Sequence, residues 1–125
     1  MRPKDLNVED VKRVLRGLTR EYGVEQEWEE AAPLDLPKQL LGAFEEIYLT
    51  LVCRHSKPDA TVYVQIRTDE VRLFAKYTGR KLAHYYHAPV SVDDPRHVIQ
   101  RRDYAAEVKT AYETWRCPAK RNLFV

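Results

Sequence analysis

The sequence predicts an α+β fold: a four- to five-stranded antiparallel sheet, its meander running over 46–88, with an N-terminal helix, a short second helix and a long C-terminal helix packed on one face. Three observations carry this. Apolar and polar residues alternate with period two through the middle of the chain, the links between the alternating runs are too short for a helical crossover, and both flanks switch to helical spacing. At 125 residues and 14.7 kDa the chain fits one domain with one core.

The first helix follows Asn7, a residue that caps helices through its side-chain oxygen. Val8, Val11, Val14, Leu15, Leu18 and Tyr22 recur at helical spacing, Asp10 sits near the positive end, and Gly23 supplies a stop. Its charged side, Lys12, Arg13, Arg16 and Arg20, reads as a solvated face. Glu25 to Glu30 alternates around Trp28 as an acidic edge strand, glutamates that would keep an edge from pairing with other chains. Asp35 and Pro37 then start a short helix reaching about Ala43.

From Glu45 to His55 strand character returns, with Ile47, Leu49, Leu51 and Cys53 facing one way and Tyr48, Thr50, Val52 and Arg54 the other. Ser56 to Asp59 is a turn. Val62, Val64 and Ile66 alternate with Tyr63, Gln65 and Arg67, and Val71, Leu73 and Ala75 alternate with Arg72, Phe74 and Lys76. After Thr78-Gly79-Arg80, a third strand is expected in which Lys81, Ala83, Tyr85 and His87 lie opposite Leu82, His84 and Tyr86. Asp94 and Pro95 open the closing helix, whose apolar stripe is Tyr104, Val108, Ala111, Tyr112 and Trp115; Pro118 ends it, and Leu123 to Val125 form an apolar tail. Trp115 closes that stripe, whereas Trp28 stands among glutamates, so Trp115 is expected in the core and Trp28 at the edge.

Once the aliphatic side of the sheet is buried, its other side collects aromatic and basic groups: Tyr48, Arg54, Tyr63, Arg67, Arg72, Phe74, Lys76, Lys81, Tyr85 and His87. This is the candidate binding face. Residues 1–60 carry a formal charge of −3 and residues 61–125 one of +5, so the face lies in the basic half. Such a balance suits an anionic partner, single-stranded nucleic acid or an acidic protein surface, without demanding one.

Two cysteines without CxxC spacing suggest no disulfide framework, and no segment resembles a signal peptide or spanning helix, so a cytoplasmic protein with no membrane contact is expected. No cofactor or metal is expected either. His84 and His87, three apart on a strand, would point to opposite faces, and Cys53 with His55 supplies too few ligands. Pro58-Asp59 followed by Glu70-Val71-Arg72 resembles the Pro-Asp … Glu-x-Lys arrangement of restriction-type nucleases, with arginine where that motif places a lysine of tunable pKa. No Gly-rich phosphate loop, GxSxG or HExxH is present. The residues support three functional classes, in this order. The first is a non-enzymatic binding protein using the aromatic and basic face; the second is a regulator or inhibitor, of the compact kind phages carry, acting through the acidic edge 25–30; the third is a small metal-dependent nuclease-like enzyme.

Overall fold

The computed structural model describes residues 8–24, 26–32, 36–40, 47–67, 70–89 and 101–117. Helix α1 spans Val8–Glu21, and strands β1 (Glu29–Glu30), β2 (Ile47–Ser56), β3 (Asp59–Arg67), β4 (Glu70–Tyr77) and β5 (Ala83–Pro89) form one antiparallel sheet in the order β1-β2-β3-β4-β5. Helix α2 spans Arg101–Arg116. The antiparallel meander is therefore as the alternation predicts, whereas of the acidic segment only Glu29–Glu30 is strand, at one edge of the sheet.

Between β1 and β2 only a 3-10 turn, Lys38–Leu40, is helical among the described residues, in place of the short helix expected to reach Ala43; residues 41–46 lie outside the described set. The closing helix is described over 16 residues from Arg101 rather than from Asp94. Asn7, Asp94, Pro95 and the tail from Pro118 onward also lie outside it.

Helix α1 ends as its glycine predicts. Gly23 takes φ +76°, the Gly23 amide donates to the Arg20 carbonyl at 3.1 Å, and the Val24 amide donates to the Thr19 carbonyl at 2.7 Å, the double closure that satisfies orphan carbonyls at a helix end. Both helices then cover the same face of the sheet. Val11, Leu15 and Leu18 of α1 and Tyr104, Val108, Ala111, Tyr112 and Trp115 of α2 pack on the inward aliphatic residues of β2, β3 and β4. Cross-strand triplets such as Leu51, Val64 and Leu73 are fully buried beneath them.

Trp28 belongs to this core, contrary to the expectation drawn from its glutamate neighbours. It is 2% exposed, with its ring edge-on to His55 at 5.9 Å and to Tyr112 at 6.2 Å. The physical reason lies in the stretch leading into β1, where Glu27 and Glu29 are exposed while the side chain between them turns inward. No helix among the described residues is long and apolar enough to cross a membrane.

Candidate binding face of the sheet

The face away from the helices is built from three cross-strand rows. Arg54, Thr61 and Lys76 form the first; Val52, Tyr63, Phe74 and His84 the second; Thr50, Gln65, Arg72 and His87 the third. Each row arises from antiparallel register, which sets the side chains of paired residues on the same side.

The middle row is apolar and covered. Leu36 and Leu40 descend on Tyr63 and Phe74, with Val52 and Leu82 completing a second small cluster, and Tyr63 and Phe74 are each 8% exposed. Neither ring therefore offers a bare face. His84 does: it is exposed and lies nearly parallel to Phe74, with ring centroids 4.7 Å apart and planes at 21°. Burial against that ring lowers the His84 pKa, opposed by the hydrogen bond to the Tyr86 carbonyl at 2.7 Å. The imidazole is thus held towards its neutral form, a flat π surface rather than a cation.

The third row continues into a polar chain. Gln65, fully buried, donates from Nε2 to the Leu40 carbonyl at 2.8 Å and to Thr50 Oγ1 at 3.3 Å, while its Oε1 accepts from Arg67 Nη1 at 3.1 Å. Glu70 then gathers three basic groups: Arg67 Nε at 3.3 Å and Arg72 Nη2 at 2.6 Å on Oε1, and His87 on Oε2. Its side chain is 13% exposed, so these pairs are poorly screened by water. Arg67 is consumed by this network and Arg72 partly so, whereas Arg54, Lys76 and Lys81 are exposed.

Of the residues that alternation assigns to this face, Arg54, Tyr63, Arg67, Arg72, Phe74, Lys76 and His87 lie on it. Lys81 is exposed just before β5 and outside the paired strand. Tyr48 and Tyr85 do not belong to it. Both pack against the core under the helices, Tyr85 with its ring 6.2 Å from Tyr77. The cause is the same in each case: the register slips between Ile47 and Leu49 on β2 and between Leu73 and Phe74 opposite β5, and a residue inserted at such a slip reverses the facing of its neighbours further along the strand. The second slip also overturns the expected separation of His84 and His87. They share the open face, ring centroids 5.9 Å apart. Glu70 and His84 are the members alternation misses; the adjacent pair Tyr85-Tyr86, which breaks strict alternation, is the trace of the slip in the sequence.

The nuclease-like spacing dissolves in three dimensions. Asp59 accepts from Thr78 Oγ1 at 2.7 Å at one end of β4, while Glu70 begins that strand at the other. Eight residue steps lead from Glu70 to Thr78, the residue level with Asp59, about 26 Å at 3.3 Å per residue, so the two carboxylates cannot share one ion. Cys53 and His55 face the helices and His84 the opposite side, so these three do not converge. The Cys53 thiol is pushed up to about 12, by burial first and then by Glu27 and Glu29. Such a thiol is a packing group rather than a nucleophile at neutral pH.

The chain matches no protein-family model, no curated protein and no solved structure.

Proposed function

We propose that the protein is a non-enzymatic binding protein whose helix-free sheet face engages an anionic partner, with single-stranded nucleic acid the ligand that best fits its chemistry. The observation that supports this reading is the exposed His84 imidazole stacked on buried Phe74, flanked along the sheet by the exposed cations Arg54 and Lys76. A nucleobase can stack on the open side of such a ring, while the ammonium and guanidinium groups meet phosphates. Tyr63 and Phe74 then act from beneath, by holding the platform flat. Arg67 and Glu70 fix Arg72 and His87 at its border.

Anisotropy of a labelled single-stranded oligonucleotide, titrated at several salt concentrations, tests this. His84→Ala should weaken binding with the salt slope unchanged. Arg54→Ala or Lys76→Ala should flatten the slope of log K against log salt by about 0.7 for each phosphate that is no longer neutralised. Absence of binding to single-stranded DNA and RNA at low salt would sink the reading.

A second reading, a regulator acting by protein contact, is favoured by one observation. β1 is an exposed edge of only two residues carrying Glu29 and Glu30, beside the exposed Glu27. A stoichiometric partner that co-purifies with the wild-type chain and is absent from a Glu29→Lys, Glu30→Lys variant would replace the first reading with this one.

A further inference from the structure

The two edges of the sheet are built differently. At one, β1 is two residues long and both are glutamates. At the other, β5 is seven residues long, Ala83–Pro89, and contains no lysine, arginine, aspartate or glutamate. Among the described residues it pairs with β4 alone. A long uncharged edge is what soluble proteins ordinarily avoid, because its unpaired amides and carbonyls recruit another strand.

The sequence of that edge is its own mirror. Ala83-His84-Tyr85-Tyr86-His87-Ala88 reads the same in both directions. Two antiparallel copies related by a two-fold axis between Tyr85 and Tyr86 would set Ala83 opposite Ala88, His84 opposite His87 and Tyr85 opposite Tyr86. Such a pairing requires opposed residues to lie on the same side of the sheet. Regular alternation would violate this at every pair, since the opposed positions are one, three and five residues apart. The register slip between β4 and β5 removes the conflict. His84 and His87 both lie on the open face, paired with Phe74 and Arg72. Ala83 and Ala88 pair with Ala75 and Val71 on the helix face, and Tyr85 and Tyr86 pack there too. All three pairs therefore match in residue type and in facing.

We infer that β5 is a self-pairing edge through which a second copy of this chain docks antiparallel, joining two five-stranded sheets into one of ten strands. Tyr85 and Tyr86 make an aromatic cross-strand pair on one side and His84 and His87 an imidazole pair on the other, with no like-charged lysines or carboxylates opposed. A two-fold contact of this kind is closed, so it yields dimers rather than fibres. This inference stands apart from the choice of ligand: it concerns the edge and holds whether or not the open face binds nucleic acid.

Mass by light scattering at about 100 μM protein, where an interface of micromolar Kd is largely occupied, is the first test. The expected mass is about twice the 14.7 kDa of the chain. The H84K, H87K double variant adds cations that meet across the axis while leaving Glu70 a basic partner; both sites are exposed, so the variant should keep the wild-type circular dichroism spectrum while its mass becomes that of a monomer and its melting loses any dependence on protein concentration. Cross-linking reads the register independently of that variant. A mixture of Ala83→Cys and Ala88→Cys chains should form a disulfide-linked dimer on mild oxidation, whereas either alone should not, with wild-type protein controlling for Cys53 and Cys117. A wild-type monomer, a dimer that survives H84K, H87K, or cross-linking equal in the single chains and the mixture would overturn the inference.

Discussion

Acidification should destabilise this protein through His55. The residue is fully buried between Trp28, Tyr112 and Trp115, with ring centroids 5.9, 5.8 and 5.0 Å away. Its Nε2 meets the Tyr112 hydroxyl at 3.1 Å and its Nδ1 the Cys53 carbonyl at 3.4 Å. Burial lowers its pKa from 6.5 to about 4; the Cys53 carbonyl opposes this, and the Arg116 cation reinforces it. A depressed value means the unfolded chain binds the proton more readily than the native one. The contribution is therefore complete above about pH 6.5 and is lost as pH falls towards about 4. Between about pH 7.5 and about pH 4.5 this single group should remove about 2.5 kcal/mol. With a urea m-value of about 1–3 kcal/mol/M, the unfolding midpoint should fall by about 0.8–2.5 M over that range. The assay is urea unfolding at a series of pH values for wild type and His55→Leu. The variant should start less stable, because it leaves the Tyr112 hydroxyl without this partner, yet its midpoint should fall less with pH, since the carboxylates and His84 remain in both proteins. Parallel pH profiles would refute the buried neutral imidazole.

The packing sets three further outcomes. Trp28→Ala and Trp115→Ala should each cost roughly 3–5 kcal/mol in denaturant unfolding, because both rings are buried in the same aromatic cluster; a near-neutral Trp28→Ala would return that residue to the surface. Gly23→Ala should cost about 1 kcal/mol in melting experiments, since the site has open space for a methyl group but holds φ at +76°; an unchanged or raised Tm would contradict that left-handed closure of α1. The Cys53 thiol should resist iodoacetamide in the native protein at pH 7.5 and react only on unfolding, as mass spectrometry of the modified peptide would report.

The sheet was legible because each strand pairs with its neighbour in sequence. Short links and period-two patterning then leave little topological choice, and the inward Val62, Val64 and Ile66 fall where the pattern puts them. The stop of α1 was legible for a local reason, a glycine at the one position needing positive φ. The burial of Trp28 was not. It depends on α2, more than seventy residues away, supplying Tyr112 and Trp115 to the same cluster, and local composition carries no trace of that packing. The covering of Tyr63 and Phe74 is of the same kind, since Leu36 and Leu40 come from a segment whose path over the sheet no periodicity encodes.

The two register slips limit how far a binding face can be read from alternation. A bulge adds one residue to one strand, so every side chain beyond it trades faces. On β2 the slip takes Tyr48 from the open face, and opposite β4 the slip removes Tyr85 and delivers His84. The exchange changes the chemistry of the face, not only its membership. A phenol there would be a donor on a mobile ring, whereas His84 is held flat on Phe74 and next to His87. The same exchange brings both tyrosines of β5 to the helix side, where Tyr86 donates to Glu107 of α2 at 2.5 Å and Tyr85 packs near Tyr77. With Tyr85 as the extra residue, Tyr86 stays towards α2 and His84 towards the open face although they are two apart and would otherwise share a side with each other, and the six-residue mirror of the edge becomes consistent in facing. Deleting Tyr85, the residue without a partner on β4, would leave Leu73 opposite Tyr86 and Phe74 opposite His84 in unbroken register, so the imidazole platform and the contact to Glu107 should survive while the six-residue mirror and its Tyr85–Tyr86 pair are lost; a deletion variant that loses the platform as well would refute this placement of the slip.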